Sequence, residues 1–264
     1  MRRAPSVDDH HLAGPTDKMC SMLLLAVLGL CCLLPADSWQ LPAGGESYGR
    51  PSFSSDSATV YTAARGNPAV RAIAAATGRL LWNKTLPCHP HDPVWQKEIG
   101  CGAIGSVVLS HDERVLFAAG ADRALWALAV PKNGVSSPPS VLWRHSLGGP
   151  AAGITGGAVL SDDGKTVFVT AGENKNTTNH SFGNRVNAVD AATGRSLWSV
   201  RRCAAGDGPC DANTSPTYHD GLVLVGDGAG WLYALKATTG EDSSGSSHPL
   251  TAGSMTACRD IRWC

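Results

Sequence analysis

The segment VNAVDAATGRSLW, from Val186 to Trp198, decides the fold of this chain. It contains an apolar, strand-like stretch around Ala188, then a Thr-Gly turn, then a second short stretch that ends on tryptophan. This order predicts two antiparallel strands joined by a tight turn, with the alanine in the first strand and the tryptophan in the second.

The same order recurs three more times. Each copy has an aliphatic residue, any residue, alanine and a second aliphatic residue, at Val70–Ile73, Leu125–Leu128 and Leu232–Leu235. A glycine turn follows each copy, at Thr77-Gly78, Asn133-Gly134 and Thr239-Gly240. Tryptophan comes after two of these turns, at Trp82 and Trp143. Apolar hairpins with Asp or Gly turns precede the copies, at Val107–Ala118, Ala158–Val169 and Tyr218–Val225.

One repeat is therefore a four-stranded antiparallel unit. The copies lie roughly 50 residues apart, which is the period of a propeller blade. We predict an all-β protein, a β-propeller of about four four-stranded antiparallel blades. We expect each outer-strand indole to pack over the glycine turn of an adjacent blade. The predicted docking residues are Trp82, Gly78, Trp143, Trp198, Gly194 and Gly240.

Composition excludes some classes of partner. The chain has 264 residues with 22 basic and 22 acidic side chains, so charge gives no reason to expect nucleic acid. Thirty glycines and 16 prolines favour short strands joined by turns over long helices.

The segment Asn187–Trp198 resembles the tryptophan-docking motif of pyrroloquinoline-quinone-type propeller repeats, the quinoprotein alcohol dehydrogenase-like family. Ala74 and Lys236 replace Asp190 in two degenerate copies. The resemblance covers about Ser52 to Gly240. Such propellers usually close with seven or eight blades, so the resemblance implies an incomplete or open ring here.

The N-terminal region predicts a secretory signal peptide. The apolar run Met22–Leu34 is followed by Pro35-Ala36-Asp37-Ser38, which suits cleavage after Ser38. A helix of that run reaches about 20 Å, short of the roughly 30 Å of bilayer hydrocarbon. An uncleaved anchor and a start at Met19 remain alternatives. The predicted organisation is 1–38 extension and signal, 39–51 linker, 52–240 propeller, and 241–264 linker and C-terminal segment.

Two further features agree with an oxidising compartment. Glycan acceptor sequons begin at Asn83, Asn176, Asn179 and Asn213. The six cysteines outside the signal fall into neighbouring pairs, which predicts the disulfides Cys88–Cys101, Cys203–Cys210 and Cys258–Cys264. Zinc is the alternative, although no pair has knuckle spacing, and six cysteines allow fifteen pairings. We expect a secreted or luminal glycoprotein with disulfide bonds.

The resemblance also raises the question of a cofactor. In the dehydrogenases of the family a quinone sits in the central funnel with a calcium ion and an aspartate base. Glu173 and Asn174, placed in a turn after the third blade's second strand, are weak calcium candidates, because one such pair cannot fill six to eight oxygen positions. Turn chemistry accounts for His111-Asp112 and His219-Asp220. No catalytic residue is predicted.

Three other features carry no cofactor prediction. The His89–Asp92 segment could bind a metal, but a disulfide-bounded loop explains it better. The glycine-rich segment Gly226–Gly230 joins two strands, whereas a dinucleotide-binding loop opens a helix. The adjacent cysteine pair and the haem-attachment motif of the dehydrogenases are absent outside the signal.

These observations favour a binding or scaffolding module without catalysis of its own. Its expected partner is a protein or a second copy, bound through open propeller edges, with no stable membrane span. The alternative is a fragment or subunit of a quinone-dependent alcohol or sugar dehydrogenase, with pyrroloquinoline quinone and calcium as cofactors. A third is an incomplete chain whose further repeats would restore the ring.

Overall fold

The computed structural model describes residues 38–42, 49–64, 67–87, 103–120, 122, 124–131, 137–147, 155–176, 181–202, 214–226 and 232–243. The chain divides into two compact units, Met1–Ser38 and Trp39–Cys264. All of the described strands belong to the second unit.

The described residues contain fifteen strands and no helix. The strands are β1 (Ser52–Phe53), β2 (Thr59–Ala64), β3 (Asn67–Ala74), β4 (Leu80–Thr85), β5 (Ala103–Leu109), β6 (Val115–Gly120), β7 (Ala124–Ala129), β8 (Ser140–Ser146), β9 (Thr155–Leu160), β10 (Thr166–Asn176), β11 (Ser181–Asp190), β12 (Ser196–Arg201), β13 (Thr217–His219), β14 (Leu222–Gly226) and β15 (Leu232–Lys236).

The strands pair with their neighbours in chain order. β1–β4, β5–β8 and β9–β12 form three four-stranded antiparallel sheets, and β13–β15 form a three-stranded sheet. We call these sheets blades 1 to 4. The predicted all-β fold of about four antiparallel blades is confirmed.

The hairpin between the first two strands of a blade has a repeated turn. In blades 1 to 3 a serine hydroxyl donates to the aspartate two residues later, over 2.6 to 2.7 Å. The pairs are Ser54 with Asp56, Ser110 with Asp112, and Ser161 with Asp163. The residue after each aspartate has positive φ and reverses the chain. The serine bonds lower the pKa of all three carboxyl groups below the usual value.

The anchor alanine of each third strand lies between two rings. Ala127 pairs with Phe117 on one side and with Trp143 on the other, and the two rings are 5.7 Å apart. Ala72 and Ala188 have equivalent neighbours, in Tyr61 with Trp82 and Phe168 with Trp198. All three alanines are fully buried. A methyl group suits this position because a larger side chain would separate the rings.

The outer strand of each complete blade carries a bulge. The pairing of blade 3 passes from Trp198 directly to Ser196, which leaves Leu197 unpaired. Leu81 and Leu142 are bypassed in the same way. A bulge on the outer edge disrupts the regular ladder and so discourages edge-to-edge pairing with other chains.

The structure differs from the sequence analysis at Glu173 and Asn174. These residues lie inside β10, paired with Gly183 and Phe182, and not in a turn. The polar run at the end of β10 carries no apolar alternation, but backbone pairing does not require it. The predicted calcium candidates are therefore strand residues.

The segments expected to be linkers also make ordered contacts. After Gly240, Asp242 forms a bridge with Leu235, and the Ser243 amide donates to the Ala234 carbonyl. Before blade 1, the Arg71 side chain donates to the Pro42 carbonyl over 2.7 Å. Neither segment was predicted to be ordered, because neither has the apolar alternation of a strand.

Candidate docking site

The corner of blade 3 receives the tryptophan of blade 2. The Trp143 ring lies against Gly194, whose φ is +72°, and the Trp143 indole N–H donates to the Ala191 carbonyl over 3.1 Å. A Cβ added at Gly194 would lie 2.6 Å from the Trp143 ring. Glycine is therefore required both for the backbone conformation and for the close approach of the indole.

The corner of blade 4 is built in the same way. The Trp198 ring lies against Gly240, whose φ is +74°, and its indole N–H donates to the Ala237 carbonyl over 2.8 Å. In both corners the accepting carbonyl belongs to the alanine three residues before the glycine. The tryptophan of one blade thus docks on the next blade along the chain.

Trp39 fills the corner of blade 1, which sequence reasoning missed. Its ring lies against Gly78, with φ +69°, and its indole N–H donates to the Ala75 carbonyl over 2.6 Å. No described sheet contains Trp39. The repeat itself could have revealed this contact. In the repeat, each Thr-Gly corner receives a tryptophan from an earlier part of the chain, so Thr77-Gly78 implies a tryptophan before blade 1.

Trp82 is buried between blades 1 and 2. Its ring centre lies 6.0 Å from that of Tyr61, and it belongs to the core cluster that also contains Leu116 and Leu128 of blade 2. The turn at Asn133-Gly134, where the repeat would place its indole, lies outside the described residues.

Polar side chains reinforce the corner of blade 4 and also stabilise the interior of blade 2. Arg202, which follows β12, forms an ion pair with Asp242 over 3.0 Å and donates to the Gly240 carbonyl over 2.6 Å. Within blade 2, the Asp122 carboxylate accepts from the Trp126 indole and from Arg144, each over 3.0 Å. Neither cluster was identified from the sequence, because both depend on residues brought together by the strand register.

Each end of the blade series carries an exposed apolar side chain, although Val60 and Ile73 of blade 1 are buried. We call the side of a blade that faces the next blade its forward flank, and the opposite side its backward flank. On the forward flank, Val70, Leu125 and Val186 are completely buried, whereas Leu232 at the same position in blade 4 is 58% exposed. On the backward flank of blade 1, Phe53 is 55% exposed, whereas the equivalent Leu160 is 7% exposed.

The inner segments of blades 2 to 4, at Ser106, Gly157 and Ser215, contact one another. The Gly157 amide donates to the Ser215 hydroxyl over 3.0 Å, and the Ser106 and Ser215 hydroxyl oxygens are 3.4 Å apart. A methyl group added at Gly157 would overlap Ser215 and press against Ser106. These contacts leave no slot for a planar quinone between the three segments, so a quinone does not fit at this point of the described chain.

No described residue set suits a metal either. Within the described ranges, no three His, Cys, Asp or Glu side chains gather closely enough to hold an ion. His111 and Asp112 lie in the first hairpin turn of blade 2, and His219 ends β13. His111 packs near Gly164 of the neighbouring turn. Gly226 ends β14, and the rest of Gly226–Gly230 lies outside the described residues, as does His89–Asp92.

The predicted glycosylation and disulfide sites lie partly within the described residues. Asn83 is exposed on β4, and Asn176 ends β10. Asn179, Asn213, Cys88, Cys101, Cys203, Cys210, Cys258 and Cys264 lie outside the described residues. In the part of the chain that the structure describes, no helix has the length and apolar character of a membrane span.

The stacked antiparallel sheets and their indole-filled corners define a β-propeller built from tryptophan-docking repeats. The sequence matches the family model described as outer membrane protein assembly factor BamB over residues 36–179 and again over 92–259. The chain belongs to this family, and the resemblance to pyrroloquinoline-quinone-type repeats is confirmed. None of the curated proteins matches the chain in sequence.

Solved structures show the same fold. BamB from Moraxella catarrhalis aligns with a TM-score of 0.54 and 18% identity over 78% of this chain and 54% of its own. A quinohemoprotein alcohol dehydrogenase from Pseudomonas putida HK5 aligns at 0.56 and 20%, over 77% and 34%. A europium-containing methanol dehydrogenase aligns at 0.58 and 15%, over 78% and 42%. This chain thus spans about half or less of each relative's length.

Proposed function

We propose that this chain is a secreted or luminal propeller that binds proteins through its end flanks and performs no catalysis of its own. The observation that carries the proposal is the exposure of Leu232 and Phe53 at positions that are buried in the internal blade interfaces. Exposed apolar surface of this kind marks an interaction site. The matching family, described as an assembly factor, supports a scaffolding role.

The alternative, a part of a quinone-dependent dehydrogenase, rests on fold likeness at 20% identity or less. Fold alone does not determine chemistry. The contact of Ser106, Gly157 and Ser215 weighs against this alternative, because the three residues fill the space between the inner segments.

The purified protein with calcium, pyrroloquinoline quinone and an alcohol should not reduce an artificial dye. Dye reduction that requires the protein and the quinone would overturn the non-catalytic proposal.

Site-specific photo-crosslinking tests the binding role. A photoreactive residue placed at position 232 or 53 in the secreted protein should give protein adducts. Leu142 is the matched control, because it is 53% exposed but lies on the outer bulge of blade 2 and not on an end flank. Equal adducts at all three positions, or none at the flanks, would contradict the proposal.

We also propose that the chain enters the secretory pathway, carries glycans and forms disulfides. Support comes from the apolar run Met22–Leu34, from exposed Asn83 with its sequon partner Thr85, and from the paired cysteines. Mass spectrometry of protein secreted by a eukaryotic host should find Trp39 at the N-terminus, a glycan on Asn83 and the three predicted disulfides. An N-terminus upstream of Met22 with free thiols would contradict this localisation.

A further inference from the structure

The corner of blade 1 is held in shape by bonds within blade 1. The Gly78 amide donates to the Ala74 carbonyl over 2.9 Å, and the Ala75 amide donates to the Ala58 carbonyl over 2.8 Å. The positive φ of Gly78 completes the turn. Because these bonds do not involve the docked indole, the corner is a preorganised surface that keeps its shape when its occupant leaves.

The occupant of this corner is the segment Trp39–Pro42, which we call the strap. The Trp39 indole N–H donates to the Ala75 carbonyl over 2.6 Å. Further along the strap, the Pro42 carbonyl accepts from the Arg71 side chain over 2.7 Å. Blade 1 thus holds the strap at two points, an indole and a main-chain carbonyl three residues later.

Blade 4 recognises its docked segment in the same two-point way. The Trp198 indole donates to the Ala237 carbonyl, and the Tyr233 hydroxyl donates to the Arg202 carbonyl over 3.1 Å, four residues after the tryptophan. Tyr233 has the position in the repeat that Arg71 has in blade 1. Two blades therefore bind an extended segment by its indole and by a carbonyl that follows it.

The strap differs from the other docked segments in how it is held. Trp143 and Trp198 belong to β8 and β12, which pair along their length with the third strand of their own blades. Trp39 belongs to no described strand and is 37% exposed. Release of the strap therefore breaks no described strand pairing, whereas release of the other two tryptophans would open a sheet.

The contacts of the strap define the chemistry that this corner accepts. A tryptophan supplies both a flat ring and the N–H that the Ala75 carbonyl requires, whereas phenylalanine would leave that carbonyl without its donor. The carbonyl that meets Arg71 must come from an extended chain. Leu41 favours that conformation in the strap, because it precedes Pro42.

We propose that the corner of blade 1 is a binding site for an extended segment of another protein, one with a tryptophan and a main-chain carbonyl three residues further on. The strap is a ligand of this kind bound in cis, and the partner segment displaces it. The site goes beyond the proposed binding through Leu232 and Phe53, because it uses the corner and Arg71 and neither of those side chains.

A fluorescein-labelled peptide with the sequence of residues 38–44, SWQLPAG, tests the site by fluorescence polarisation. It should bind the full secreted chain that carries Trp39→Ala, and it should bind the wild type about tenfold more weakly. The difference arises because the strap competes in cis at an effective concentration on the order of millimolar. The same peptide with alanine in place of its tryptophan should bind neither chain.

Further variants in the Trp39→Ala chain locate the bound peptide. Gly78→Ala should abolish binding, because the added Cβ would lie 2.6 Å from the position of the indole ring. Gly221→Ala is the matched control, since its φ is also positive, at 76°, and the added Cβ meets nothing within 4 Å. It should bind the peptide unchanged. Arg71→Ala should weaken binding about tenfold, because it removes the second contact.

Thermal melting shows which variants fold, and the wild type decides the result where a variant does not. Failure of the peptide to bind either chain, or equal binding of the alanine peptide, overturns the site. Binding to the Trp39→Ala chain without binding to the wild type at millimolar peptide makes the strap a fixed part of blade 1 and overturns the displacement. Photo-crosslinking at positions 53 and 232 tests the proposed function separately, because neither residue contributes to this measurement.

Discussion

At the residue scale, the corner glycines perform two separable tasks. Gly194 has positive φ and also lies in contact with Trp143, whereas Gly221 has positive φ, at 76°, with open space around its Cα. Gly221→Ala should cost only the backbone strain, about 1 to 2 kcal/mol. Gly194→Ala should cost about 2 to 4 kcal/mol, because the added methyl also displaces the indole. Urea unfolding measures both, and equal losses would contradict a docking role for Trp143.

At this scale the sequence predicts some of the docking residues and misses others. The glycine corners and their tryptophans could be predicted because each signal is local: Thr-Gly fixes a turn and the indole follows at a fixed spacing. Trp39 could not be found in that way, since no Thr-Gly pair precedes it at the repeat spacing. Arg202 was missed because its partner Asp242 lies 40 residues away. Only the blade register brings the two together.

At the element scale, the serine-aspartate hairpins couple stability to pH. The pKa values of Asp56, Asp112 and Asp163 are lowered in the folded chain, first by the serine hydroxyls and then by backbone amides. The stabilisation is therefore present above the usual carboxyl pKa of 3.8 and is lost as pH falls through the lower folded value. The effect per turn is small because the carboxylates are exposed.

The combined variant Ser54→Ala, Ser110→Ala and Ser161→Ala tests this coupling. Its melting temperature should fall less steeply than that of the wild type between pH 5 and about pH 3, because its carboxyl pKa values are closer to the unfolded ones. Ser199→Ala is a matched control, since its hydroxyl bonds to Asn187 and to no carboxylate. Parallel pH profiles for the combined variant and the wild type would exclude the serine bonds as the cause.

Strand boundaries were predicted well where apolar residues alternate and poorly where they do not. β6 and β7 are nearly continuous apolar runs between polar turns, so composition alone locates them. The ends of β10 and β11 are polar but still paired, and pairing energy comes from the backbone. The exposed flank residues could not be identified at all from the sequence. Leu232 and Leu125 occupy the same place in the repeat, and only the presence of a neighbouring blade distinguishes them.

At the scale of the whole molecule, stability should be transmitted from blade to blade through the three interface clusters. Each cluster joins only consecutive blades, so the chain behaves as a series of units with nearest-neighbour coupling. Ala127 lies at the middle interface between Phe117 and Trp143. Replacing it with leucine overpacks that interface by about 1 to 3 kcal/mol and should uncouple blades 1 and 2 from blades 3 and 4.

Hydrogen exchange read by mass spectrometry can detect this uncoupling. In the wild type, β6 and β10 should exchange through one shared opening, whereas Ala127→Leu should give two openings of different free energy. Leu142→Ala is the control in the same blade, because its side chain projects from the outer bulge and joins no interface cluster. A single shared opening of lower free energy in Ala127→Leu would mean that the inner segments around Ser106, Gly157 and Ser215 hold blades 2 to 4 together without the middle interface.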